Sequence, residues 1–162
     1  MTEEEVRAAI DGAMRTLIDK DGEILGRGVN ERTLTHRLAV YLEQDAIFNG
    51  WYVDCEYNRD GTNPKRLQQP TQILSNDTKG RTIFPDIIIH KRVPFTRCVD
   101  EAQKREVNRV VIEAKKDADE DGEREDLAKL RDIKQDFLYR FAVFVNFHVD
   151  ADAAPRWDTR FV

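Results

Sequence analysis

At 162 residues, 40% of them hydrophobic and 35% charged, the chain is long enough to bury one core unaided and short for two ordinary domains. Its formal net charge of −5 argues against a uniformly basic nucleic-acid binder, so any phosphate contact needs a local concentration of Lys and Arg. No stretch approaches a membrane span, the acidic start Met1-Thr-Glu-Glu-Glu-Val6 lacks the character of an export signal, and Cys55 and Cys98 fit neither a disulfide framework nor a metal spacing. A cytoplasmic, single-domain protein with no membrane partner is expected over residues 1–162.

Val6, Ile10, Met14, Leu17 and Ile18 recur at helical spacing, and Thr2 with Glu5 reads as a capping box, which predicts a leading helix over 3–19 that ends near Asp21-Gly22. A second helix is predicted from Asn30 to about Asp45, with Asn30 as its cap and Leu34, Leu38, Tyr41 and Leu42 as its apolar stripe. A strand follows over Trp51 to Tyr57. Residues 60–80 carry Gly, Asn and Pro without periodicity and read as a long loop, a candidate for substrate contacts.

Two segments dense in β-branched residues come next, Arg81-Thr-Ile-Phe-Pro-Asp-Ile-Ile-Ile-His90 and Asn108-Arg-Val-Val-Ile-Glu-Ala-Lys-Lys116, separated by a mixed loop over 93–107. The acidic run Asp117 to Asp126 opens like a calcium-binding loop, but Ala128 stands where the closing carboxylate belongs, so a solvated loop is expected. Leu127, Leu130, Ile133 and Phe137 predict a third helix. Tyr139 to Phe147 is apolar on both faces and predicts a central strand, and Trp157 and Phe161 are expected to pack back on the domain.

The chemistry concentrates on the two β-branched segments. Side chains two apart in a strand share a face, so Glu113 and Lys115 point one way and Ile112 and Ala114 the other. Charges inside such apolar strands are costly unless paired or functional. One acid would suffice for a plain ion pair with Lys115; Asp86 and Glu113 together leave a surplus negative charge that a divalent cation would offset. Carboxylate oxygens suit Mg²⁺ or Mn²⁺, and such a cation can acidify a water and neutralise charge that builds on a phosphodiester under attack.

Pro85-Asp86 on one strand and Glu113-Ala114-Lys115 on the next resemble the signature of the PD-(D/E)XK nuclease superfamily. Val53 to Arg59, Pro85 to Arg92, Val111 to Lys116 and Asp126 to Leu130 add to the likeness, which spans roughly residues 30 to 147 and is closest to its small bacterial members. The resemblance implies an α/β fold of restriction endonuclease-like type, an αβββαβ core with a mixed sheet flanked by helices, here preceded by the extra N-terminal helix. It implies a Mg²⁺- or Mn²⁺-dependent nuclease that hydrolyses phosphodiester bonds, in DNA first of all, by attack of metal-activated water. Asp86 and Glu113 would be metal ligands with the Ala114 carbonyl as a third, and Lys115 would position the water. A fourth acid is usual, and Glu31 is a candidate, although an acid in a first helical turn is also explained by the helix dipole; Glu56 is the other candidate. Lys65, Arg66, Lys79, Arg81, Lys91, Arg92 and Arg97, with Lys116, are candidates for a phosphate-facing rim, each with solvated surface charge as its bland explanation. Gln135 with Tyr139 has the Gln-xxx-Tyr spacing that some nucleases of this superfamily use near the substrate, Tyr139 also reading as a core residue. His90 shares the face of Asp86 by strand parity. The resemblance leaves room for a homodimer, since one site per chain must act twice to cut a duplex. The alternative is a module that keeps the fold and binds nucleic acid without turnover.

Overall fold

A computed structural model describes residues 1–25, 29–60, 63–67, 81–92, 100–149 and 154–162. Two helices lead the chain. α1 (Glu3–Leu25) starts on the predicted capping box, in which the Thr2 hydroxyl accepts from Glu5 N at 3.3 Å and Glu5 accepts from Thr2 N at 2.7 Å. It runs past the predicted stop at Gly22 because tertiary contacts outweigh one helix-weakening glycine: Leu25 is buried, and Asp21 accepts from Arg37 at 2.6 Å and Tyr41 at 2.7 Å. Those partners lie on α2 (Glu31–Glu43), where Asn30 caps Thr33 N at 2.9 Å and Leu34, Leu38, Tyr41 and Leu42 are all buried as the spacing predicts.

After a short helical turn at Ala46–Phe48 comes β1 (Tyr52–Cys55), followed by the two-residue strands β2 (Arg59–Asp60), β3 (Asn63–Pro64), β4 (Arg66–Leu67) and β5 (Arg81–Thr82). β2 pairs with β3, and β4 with β5, outside the main sheet. The first motif strand is therefore shorter than predicted. Only β6 (Ile87–His90) joins the main sheet, because the chain leaves extended pairing at Ile83 to Asp86, where Pro85 has no N–H to give.

A short helix, α3 (Glu101–Val107), lies within the segment predicted as loop; Asp100 caps it through Gln103 N at 2.8 Å, a signal that was present in the sequence. The second motif strand, β7 (Asn108–Lys116), has the predicted bounds. α4 (Glu120–Phe137) starts inside the acidic run, so the solvated-loop expectation is corrected from residue 120 onward: Asp119 caps Gly122 N at 2.8 Å, and Glu120, Asp121 and Glu123 sit where the helix dipole favours negative charge. Leu138, in the left-handed region at φ 57, ends the helix. β8 (Phe141–His148) and β9 (Arg156–Phe161) complete the sheet; the tail does pack back, as an edge strand whose residues alternate between exposed and half-buried.

The five-stranded sheet runs β1-β6-β7-β8-β9, antiparallel except for the parallel β7–β8 pair that α4 connects. Helices flank both faces of this mixed α/β sheet. α1 and α2 bury Ile10, Leu17, Leu34 and Leu38 against Ile87, Val110, Ile112, Ala114, Val143 and Val145. On the other face α4 buries Leu130, Ile133 and Phe137 against Ile88, Val111, Ala142 and Phe144. β8 is covered on both sides, as its double apolar face predicts. Among the described residues no helix is long and apolar enough to cross a membrane.

Candidate functional site

The α4 side of the sheet carries the charged pocket. Ile87 pairs with Ile112, so Asp86 stands across from Glu113 at the end of the β6–β7 ladder, on the face opposite Ile112 and Ala114. Asp86 Oδ2 accepts from Ala114 N at 2.8 Å, which fixes the carboxylate at the mouth of the two strands. Burial raises the pKa of Asp86 above the usual carboxylate range, against the pull of that N–H and of Lys129.

Glu113 is only 3% exposed. Its Oε2 accepts from Lys129 Nζ at 2.7 Å, while Oε1 is buried with no hydrogen-bond partner. Burial pushes its carboxyl up to about 8, with Lys129 opposing and Asp86 adding to the rise. Lys115, the lysine of the motif, points to other acids. Its Nζ lies 3.3 Å from Glu31 Oε1 and 3.9 Å from Asp126 Oδ2. Burial works against the Lys115 ammonium, but Asp126 and Glu31 outweigh it and hold the pKa up.

Glu31 is thus both the first-turn acid of α2 and a member of the pocket: its second oxygen accepts from Lys116 N at 3.2 Å. Glu56, the other candidate for a supporting acid, pairs instead with Arg32 at 2.9 Å and is about half exposed. Sequence reasoning missed Asp126 and Lys129 as pocket residues. Asp126 is largely buried, its Oδ2 has no hydrogen-bond partner, and burial raises its pKa. The signal was there, since Asp126 and Lys129 are three apart and share the helix edge beside the buried Leu130 and Ile133. Inside a run of charged residues, that spacing alone does not separate them from a solvated face.

Four carboxylates, Glu31, Asp86, Glu113 and Asp126, therefore meet two ammoniums, Lys115 and Lys129, a formal excess of two negative charges when all are ionised. Among the described residues no three His, Cys, Asp or Glu side chains stand close enough to cage a metal. Mg²⁺ is commonly held by one or two carboxylates plus water and phosphate oxygens rather than by a full protein cage. The orphaned, buried Glu113 Oε1 opposite Asp86 fits such a partial donor set.

The predicted basic rim is dispersed. Lys65 is corrected outright: it is 2% exposed, its Nζ donates to the Tyr139 hydroxyl at 2.9 Å, and it sits over the rings of Tyr57, Phe137 and Tyr139. An ammonium enclosed this way anchors the core beneath α4 and does not face solvent phosphate. Lys91 and Arg92 follow β6 at the end of the strand away from Asp86, and Arg92 Nη2 is engaged by Asp54 Oδ1 at 2.5 Å. His90 is buried with Nε2 2.8 Å from Asp54 Oδ2, so it braces β1 against β6 and is not available to substrate. Lys116 remains beside the pocket through Glu31, and Gln135 is exposed farther along α4. The Arg81 side chain, Lys79, Arg97, Cys98 and most of the predicted 60–80 loop lie outside the described residues.

Comparison with protein-family models, with curated proteins and with solved structures found no match for this chain.

Proposed function

We propose that the chain is a metal-dependent nuclease of the PD-(D/E)XK type with a restriction endonuclease-like core, hydrolysing phosphodiester bonds, with DNA as the expected substrate. The observation that carries the reading is the opposition of Asp86 and Glu113 across β6 and β7, with one Glu113 oxygen buried and unpartnered. Asp86 and Glu113, with the Ala114 carbonyl, would hold Mg²⁺ or Mn²⁺. Such a cation supplies positive charge against the phosphate and a lowered pKa for water in contact with it.

The chain's own residues divide the remaining work. Lys115, held between Glu31 and Asp126, presents its other N–H donors to the attacking water or to a non-bridging phosphate oxygen. Glu31 and Asp126 keep that ammonium charged and in place. Lys129 donates to Glu113 and offsets its charge; with a cation held by that carboxylate, the ammonium would be available to charge developing on the phosphate. By the resemblance, the products carry a 5′-phosphate and a 3′-hydroxyl.

Purified protein incubated with plasmid, linear duplex and single-stranded DNA in Mg²⁺ or Mn²⁺, beside an Asp86→Ala control, tests the reading. Cleavage by the parent chain and its loss in the variant are expected; equal cleavage in both, or none by either on any substrate, removes the assignment. A second reading, a module that binds nucleic acid without turnover, draws on the Lys129 ammonium already seated on Glu113. It predicts DNA binding with no Mn²⁺ uptake at this pocket.

A further inference from the structure

The other end of β7 carries a second arrangement of charge that the carboxylate pocket does not use. The register of β6 on β7 passes from Ile89–Val110 to His90–Asn108, leaving Arg109 as the extra residue of a β-bulge. Asn108 takes the inward position and donates to the Phe137 carbonyl at 2.7 Å. The bulge re-aims Arg109, whose guanidinium lies 4.4 Å from the Trp51 ring centroid. Lys91 Nζ stands 5.0 Å from the same ring.

Arg140, exposed at the start of β8, hydrogen-bonds through its backbone N to Asn108 O, and its guanidinium lies 5.3 Å from the Phe141 ring. Burial and the nearby Arg140 charge both work against the Arg109 cation, and Arg109 Nε is buried with no hydrogen-bond partner. No carboxylate among the described residues pairs with Lys91, Arg109 or Arg140. In a chain of net charge −5, two cations on one indole and a third guanidinium near Arg109, with no carboxylate partner among the described residues, form a local surface for an anion. On the other face of β1, Tyr52 is 46% exposed, with the Arg92 guanidinium 4.2 Å from its ring centroid.

Phosphate-binding cations interleaved with aromatic and guanidinium planes are what a single strand of nucleic acid uses, its backbone on the cations and its bases on the flat faces. We propose that Lys91, Arg109 and Arg140, with Trp51, form an exosite for single-stranded nucleic acid at the sheet end opposite the carboxylate pocket. The partner class rests on the nuclease reading.

The test is anisotropy of a fluorescein-labelled oligothymidylate in EDTA, across a salt series, with Lys91→Gln/Arg140→Gln as the main variant because both side chains are exposed. Arg109→Gln, checked for folding by circular dichroism, is the second. Binding should weaken about tenfold or more in the double variant, and the salt slope should fall by about 1.4, near 0.7 for each lost phosphate contact. Asp86→Ala should bind as the parent chain does. Unchanged binding in both variants overturns the exosite. So does competition by inorganic pyrophosphate at the oligonucleotide's own affinity, which marks a small-anion site, or equal binding of a polyglutamate peptide, which marks an acidic protein partner. The titration contains no metal and reads no turnover, so loss of the exosite leaves cleavage at Asp86 and Glu113 untouched, and absence of cleavage does not by itself remove the exosite.

Discussion

Replacing Glu113 with Gln should make the protein more stable at high pH and little different at low pH. In the folded chain burial holds this carboxyl up to about 8, against an ordinary value of 4.5. Between those two values the folded chain keeps a proton that the unfolded chain has released. Stability contributed by the neutral carboxyl is therefore present at low pH and lost as pH rises through the window. At about 1.36 kcal/mol for each pH step of one, the loss between about pH 5 and pH 9 is on the order of 4 kcal/mol. Gln keeps the shape and an oxygen for Lys129 and carries no charge to bury, so the variant lacks this slope. Urea denaturation of parent and variant at several pH values, without divalent cation, measures it. The two unfolding free energies should diverge by several kcal/mol toward pH 9, the variant above. Curves that stay parallel within about 1 kcal/mol would show that Glu113 ionises freely, and the electrostatic description of the pocket would fall with that result.

Asp54→Ala strips the partner from buried His90 and frees Arg92; urea denaturation at neutral pH should show a loss of about 1–3 kcal/mol, and no change would mean that the β1–β6 brace is decorative. Lys129→Met removes the cation competing for Glu113, so at pH 9, where the carboxylate ionises readily, Mn²⁺ should bind about tenfold more tightly or better by calorimetry. Weaker binding in that variant would assign Lys129 a supporting role in holding the ligand instead. Lys115→Met should leave Mn²⁺ uptake in place while DNA cleavage falls at least about a hundredfold; full cleavage would remove Lys115 from the chemistry.

Much of this arrangement was readable before any coordinates. The stripes on α1, α2 and α4, the double apolar face of β8 and the strand parity of β7 all follow from side-chain periodicity, and each element packs as its pattern predicts. That Asp86 and Glu113 lie on neighbouring strands was expected from the sequence; their opposition depends on the antiparallel register of β6 and β7. What periodicity could not supply was long-range pairing of charge. Lys115 was expected beside Glu113, but Lys129 takes that place and Lys115 turns to Glu31 and Asp126. A lysine's long stem lets several acids compete for it, and only tertiary distance decides the winner. Lys65 misled for a related reason: a basic residue in a polar stretch looks solvated until aromatic rings from β8's approach and the end of α4 close around it. β9 went unread although Arg156–Phe161 alternates charged and uncharged residues strictly, because the run is short and charge fills its exposed positions, as edge strands tolerate.

Calorimetric titration of Mn²⁺ into the parent chain and into Asp86→Ala, from pH 6 to pH 9, bears most directly on the cation pocket. One ion per chain should bind, with affinity rising about tenfold for each pH step below 8 as Glu113 releases its proton, and the variant should show no such site. Binding that is absent from the parent chain, or that persists unchanged without the Asp86 carboxylate, would contradict it.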